Sequence, residues 1–160
     1  MVDVYQQTGV DFFSSIKDII EKKIDHEVRR ADSFDIPEDA YDAMRKQHHA
    51  LKIIETIAAR HRPNSGFNLC LLHDDIYIDR MNFVFGLADP RINTAVVSSF
   101  RLNGTHLIDR LVKEIVHELG HLMGLGHCAD LKCVMHFSNT LSDTDQKSAD
   151  LCTRCRSING

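Results

Sequence analysis

The sequence has no excess of positive charge. Its 19 lysines and arginines against 23 aspartates and glutamates give a formal net charge of −4 and an acidic pI, which argues against a dedicated nucleic-acid surface. No apolar run reaches the length a bilayer requires, so no membrane span is expected. The first residues, Met1-Val2-Asp3-Val4-Tyr5, lack the basic stretch and apolar segment of a secretory leader. The cytoplasm is therefore the expected location, and there cysteines usually stay reduced or bind metal. Internal repeats, low-complexity tracts and Pro/Gly-rich linkers are also missing. Nothing divides the 160 residues into independent domains, and 43% apolar content suffices for one core. Charge runs such as Glu21-Lys22-Lys23 mix both signs and read as solvated faces.

Residues 2–8 and 26–34 alternate as strands do, around a helix near 10–24 with Phe13, Ile16, Ile19 and Ile20 on one face. Pro37-Glu38-Asp39 predicts the start of a second helical region. That region runs through Leu51, Ile54 and Ile57 to Ala59, with Pro63-Asn64-Ser65-Gly66 ending it and His48 and His49 on its surface. Three β-rich stretches follow at 67–73, 82–88 and 94–101, with a turn at Asp89-Pro90. Leu107, Leu111, Ile115, Leu119 and Leu122 recur at helical spacing and mark the strongest helix, 107–123. Beyond residue 127 apolar periodicity fades, and a short helix is expected from 142 or 143 into the Cys152 region. A sheet with helices around it reads as α+β.

The strongest helix carries His117-Glu118-Leu119-Gly120-His121. Side chains four apart share a helical face, so both imidazoles can reach one ion, with Glu118 beside them and free to act on a water. Gly124 and Gly126 allow the chain to turn back and deliver His127. Three neutral imidazoles suit a zinc ion with an open fourth position, where a water becomes a usable nucleophile near neutral pH. Glu118 is the candidate catalytic base for that water.

The full run His117-Glu118-x-x-His121-x-x-Gly124-x-x-His127, followed by Met135, resembles the metzincin metalloprotease signature. Downstream, Cys128-x4-Cys133-x-Met135 and then Cys152-x2-Cys155 make the resemblance to the archaemetzincin family specific. The resemblance implies a metzincin-like catalytic domain: a twisted mixed sheet of about five strands, with a backing helix and an active-site helix above a substrate cleft. Residues 1–126 would form the upper part and 127–160 a small C-terminal subdomain. An edge strand at 82–88 would line the cleft and pair with an extended peptide. Met135 would form a methionine turn, a packing base beneath the imidazoles.

The resemblance further implies a second, structural zinc on Cys128, Cys133, Cys152 and Cys155. The residues alone suit either a tetrahedral thiolate site, with Lys132, Arg154 and Arg156 nearby to offset its charge, or two disulfides. The chain departs from some metzincins in having tyrosines only at 5, 41 and 77, none near the methionine turn; His136 is the candidate substitute. Cys70 lies in an apolar strand and reads as core. The implied activity is a zinc peptidase, aminopeptidase-like or endopeptidase, acting as a monomer on peptide or protein substrates. The alternative is a zinc-stabilised peptide-binding module that cleaves little, against which the intact Glu118 argues.

Overall fold

A computed structural model of the chain describes residues 1–63 and 66–159. In chain order the elements are β1 (Val2–Gln7), α1 (Phe13–Ile24), β2 (Val28–Phe34), β3 (Tyr41–Asp42), β4 (Gln47–His49), α2 (Ala50–Arg60) and β5 (Phe67–Leu72). They continue with β6 (Ile76–Tyr77), β7 (Gly86–Asp89), β8 (Thr94–Ser98), α3 (Leu107–Leu122), α4 (Leu141–Gln146) and α5 (Thr153–Asn159). The fold is α+β.

Five strands form one mixed sheet in the order β2-β1-β5-β8-β7, parallel except for β7, which runs antiparallel to β8 at the edge. The register sets Val4 opposite Leu69, Leu69 opposite Ala95, and Gly86 opposite Val97. Strand side chains alternate between faces, so the central strands feed two cores. Val2, Val4, Leu69, Leu71, Ala95 and Val97 pack with α1, α3 and the tail, whereas Tyr5, Cys70, Leu72 and Val96 pack under Ile53, Ile54 and Ile57 of α2. Because β5 is covered on both faces it reads as a nearly continuous apolar run. A second sheet of three short strands has the order β3-β4-β6, its strands interleaved along the chain with those of the first.

The helical expectation from Pro37 onward is corrected. Only a 3-10 turn forms at Glu38–Ala40, and a hairpin precedes the helix. The Asp42 carboxylate accepts the backbone N–H groups of Met44 and Arg45, and Lys46 adopts φ 55°, so turn chemistry wins until Ala50. His48 and His49 therefore sit on β4, with His49 Nε2 3.1 Å from Asp79, not on a helix surface. Helix α2 ends at Arg60, and Asn64 and Ser65 of the expected stop signal lie outside the described residues.

The expected 82–88 strand shortens to β7, because Arg45 donates to the Met81 and Asn82 carbonyls and holds that stretch as a loop; Val84 makes only an isolated bridge to Ile76. The expected 94–101 strand ends at Ser98. In the tail the single helix becomes two. Between them, residues 147–152 bond back to the loop after Cys128, Val134 N–H to Asp150 O and Ser148 N–H to Lys132 O. No helix among the described residues is long and apolar enough to cross a membrane.

Candidate active site

Every residue of α3 from Leu111 to Gly120 is buried, including Lys113, Glu114, His117 and Glu118. Its apolar residues join the core shared with the sheet, Glu114 and His117 reach the tail at Thr144 and Val134, and Glu118 lies against Gly86 of β7. At its end the helix stops in a Schellman motif: Leu125 N–H bonds Gly120 O, Gly124 N–H bonds His121 O, and Gly124 takes φ 92°. The motif glycine thus serves the turn, whereas Gly126 is not in the left-handed region. The turn aims the Leu125 carbonyl at His121 Nδ1, 2.8 Å away, and the Val134 carbonyl takes His117 Nδ1 at 2.8 Å. His127 follows on the exposed side, its ring 5.3 Å from that of His117 and 4.9 Å from that of His121.

A carbonyl can only accept, so His117 and His121 each carry their proton on Nδ1 and leave Nε2 bare. These two bare nitrogens face each other at 3.0 Å, an arrangement that a shared cation would satisfy. One donor nitrogen from each of the three histidines lies within 4.8 Å of the others. Tetrahedral zinc, with bonds of about 2.0–2.1 Å, sets its nitrogens roughly 3.3 Å apart. Burial, with Lys147 adding repulsion, pushes His117 down to about 3 and also lowers His121 and His127. Neutral imidazoles are the form that binds metal, so the donor set fits.

Glu118 is buried, and burial followed by the nearby Glu114 raises its pKa well above the carboxylate range, Lys147 opposing. It lines a cleft of about 430 Å³ together with Glu114 and His117, the 80–86 loop and residues 137–140. Phe83, Val84, Phe85 and Phe137 give the cleft apolar walls. Beneath α3 lies Met135, fully buried, its thioether filling the space that a side chain at Gly120 would take. His136 gives Nδ1 to the Cys128 carbonyl at 2.9 Å and is not among the cleft-lining residues.

Cys128, Cys133, Cys152 and Cys155 form a second cluster, their sulfurs all within 4.8 Å, and all are free thiols. Cys128 and Cys152 sulfurs are 3.8 Å apart. That matches the edge of a tetrahedron with Zn–S bonds of about 2.3 Å, roughly 3.8 Å, and not a disulfide of about 2.05 Å. Backbone N–H groups point at sulfur: Cys152 N–H donates to Cys133 Sγ, and the Cys155 amide pulls Cys152 down to about 7. Burial pushes Cys133 and Cys155 up. Cys128 N–H bonds Met135 O, so this cluster and the histidines share one short loop. Cys70 stays in the core with its thiol pushed up by burial, and the other histidines join neither cluster among the described residues.

Sequence reasoning missed Glu114, Lys147 and Gly86. Glu114 left a signal, a carboxylate one helical turn before Glu118 on the face that also carries His117 and His121. Lys147 and Gly86 left none, because a lysine in a polar tail and a glycine in a strand look ordinary.

Residues 34–158 match the family model described as Peptidase family M54. An archaemetzincin of Pyrobaculum aerophilum is 48% identical over 115 residues, 72% of each chain. The crystal structure of an archaemetzincin from Methanopyrus kandleri superposes with a TM-score of 0.90 at 36% identity, covering 99% of this chain and 92% of that one. A crystal structure described as a zinc-dependent peptidase from Methanocorpusculum labreanum gives a TM-score of 0.90 at 27% identity, over 100% of both chains.

Proposed function

The chain belongs to the archaemetzincin family and is a zinc-dependent metallopeptidase; from that premise we propose how its residues divide the work. His117, His121 and His127 hold the catalytic zinc, and Cys128, Cys133, Cys152 and Cys155 hold a structural one. A zinc ion held there would supply Lewis-acid chemistry, lowering the pKa of a water and polarising the scissile carbonyl. Glu118 takes the proton of the attacking water and passes it to the leaving amine. The observation that carries this reading is the buried Glu118 carboxylate beside His117 in the cleft wall, next to the three converging imidazoles.

Strand β7 ends the sheet, so its outer edge can take an extended peptide as a further strand through main-chain hydrogen bonds. Phe83, Phe85 and Phe137 would flank the side chain next to the cut bond. Met135 fills the space under the imidazoles. We read the protein as a cytoplasmic monomer, one domain in which residues 127–160 form the lower subdomain. Incubating the zinc-loaded protein with a mixed peptide library tests this. Cleavage that chelation stops and added zinc restores is expected. Peptides bound but left intact would favour the binding-module alternative.

A further inference from the structure

Polar groups of α3, α4 and the loop after Cys133 meet in the core behind the cleft. The Lys147 side chain is 0% exposed and its ammonium lies 3.1 Å from Glu114 Oε1, itself buried. The same Nζ donates to the His136 carbonyl at 3.3 Å. Thr144, fully buried, donates its hydroxyl to that Glu114 oxygen at 2.9 Å. A buried ion pair contributes little to stability, because desolvation offsets the attraction, and an apolar pair of equal volume often does as well. Stability alone does not account for this one.

The far ends of the network suggest its use. Glu114 lies one helical turn before Glu118 and shares the cleft wall with Glu118 and His117. The His136 carbonyl follows Met135, and Val134, one residue earlier still, orients His117 through its own carbonyl. Helix α4 brings the lysine to this point. Its start is fixed by the Thr140–Asp143 capping box, its side is held by the Arg110–Asp145 pair, and Lys147 is its C-cap.

We propose that Lys147 is a positioning residue of the peptidase site: through Glu114 and the His136 carbonyl it fixes the spacing between α3 and the Val134–His136 turn, on which the aim of His117 and Glu118 depends. The proposal rests on the peptidase reading above. An ammonium with several donors meets both acceptors at set distances; an apolar side chain fills the volume without setting them.

The test is the paired variant Glu114→Gln with Lys147→Met, which removes both charges and strands neither. It should fold with a melting temperature near that of the unaltered protein and keep its cysteine-site zinc. Zinc affinity at the three-histidine site should fall about tenfold, as losing support behind a metal ligand typically does. The kcat for a cleaved library peptide should fall about tenfold as well, with KM within about twofold. Unaltered zinc affinity and kcat would overturn the proposal. An unfolded variant, or one that loses both zincs, would overturn it too, by making the pair a structural element. If the unaltered protein bound zinc but cut no peptide, only the peptidase reading would fall, and the zinc affinities would still decide the role of Lys147.

Discussion

Gly86 on β7 stands where any side chain would strike Glu118: a β-carbon there would lie 2.8 Å from both Cγ and Oε1 of Glu118 and 2.8 Å from the Val96 carbonyl oxygen. Its φ is not in the left-handed region, so the requirement is for space. The Val96 carbonyl belongs to β8, paired on both sides, and cannot withdraw, so Glu118 must. Gly86→Ala should therefore destabilise the fold by about 1–3 kcal/mol. By displacing the base it should lower kcat by roughly 10²-fold, while zinc content holds. Steady-state kinetics beside metal analysis would check this; normal turnover would mean that strand and base are not in contact.

Gly120 and Met135 pose the same kind of question under the helix. Gly120→Ala would drive a methyl into the Met135 thioether, which is fully buried. A loss of about 1–3 kcal/mol and weaker zinc at the histidines are expected. Met135→Leu keeps the volume and should lose less than about 1.5 kcal/mol with zinc retained. Thermal melts with zinc titration would rank the two, and the reverse order would give the sulfur a role beyond packing.

The Arg110–Asp145 pair makes the docking of α4 sensitive to acid. Two hydrogen bonds of 2.7 and 2.8 Å from the guanidinium hold the Asp145 carboxyl below its ordinary value. A depressed folded pKa contributes stability above the unfolded value, about 3.9, and loses it as pH falls through the folded one. Hydrogen-exchange protection of α4 should fall below about pH 4. Asp145→Asn should show the lower protection already at neutral pH, with a smaller acid step left over from the Asp143 cap. Identical profiles for the two proteins would remove the pair from α4 docking.

The cysteine cluster makes a separate forecast. Denaturing the protein with chelator and no reductant should expose all five thiols, Cys70 included. Cys152→Ser should cost the more tightly held zinc and loosen the tail. It should also weaken the histidine site, because Cys128 directly follows His127 and bonds Met135. One zinc per chain with a single free thiol would contradict this account.

The ligand candidates were legible in the sequence because helical spacing and short cysteine intervals encode proximity locally. His117 and His121 needed only the helix period, and Gly124 only the wish to turn. The support around them was not legible. Glu114, Thr144 and Lys147 meet across 30 and 33 positions of chain, and Gly86 meets Glu118 across 32. No local pattern records such pairings. The segment at 37–49 misled for a different reason: an acidic start after proline suits a helix, but the Asp42 turn competes for the same backbone and prevails.

The central claim is that Glu118 acts on a water and leaves the metal to the histidines. Measuring peptide hydrolysis and zinc content together on Glu118→Ala tests it most directly. Hydrolysis should vanish with both zincs in place. Cleavage that survives the substitution, or loss of zinc from the histidine site, would contradict it.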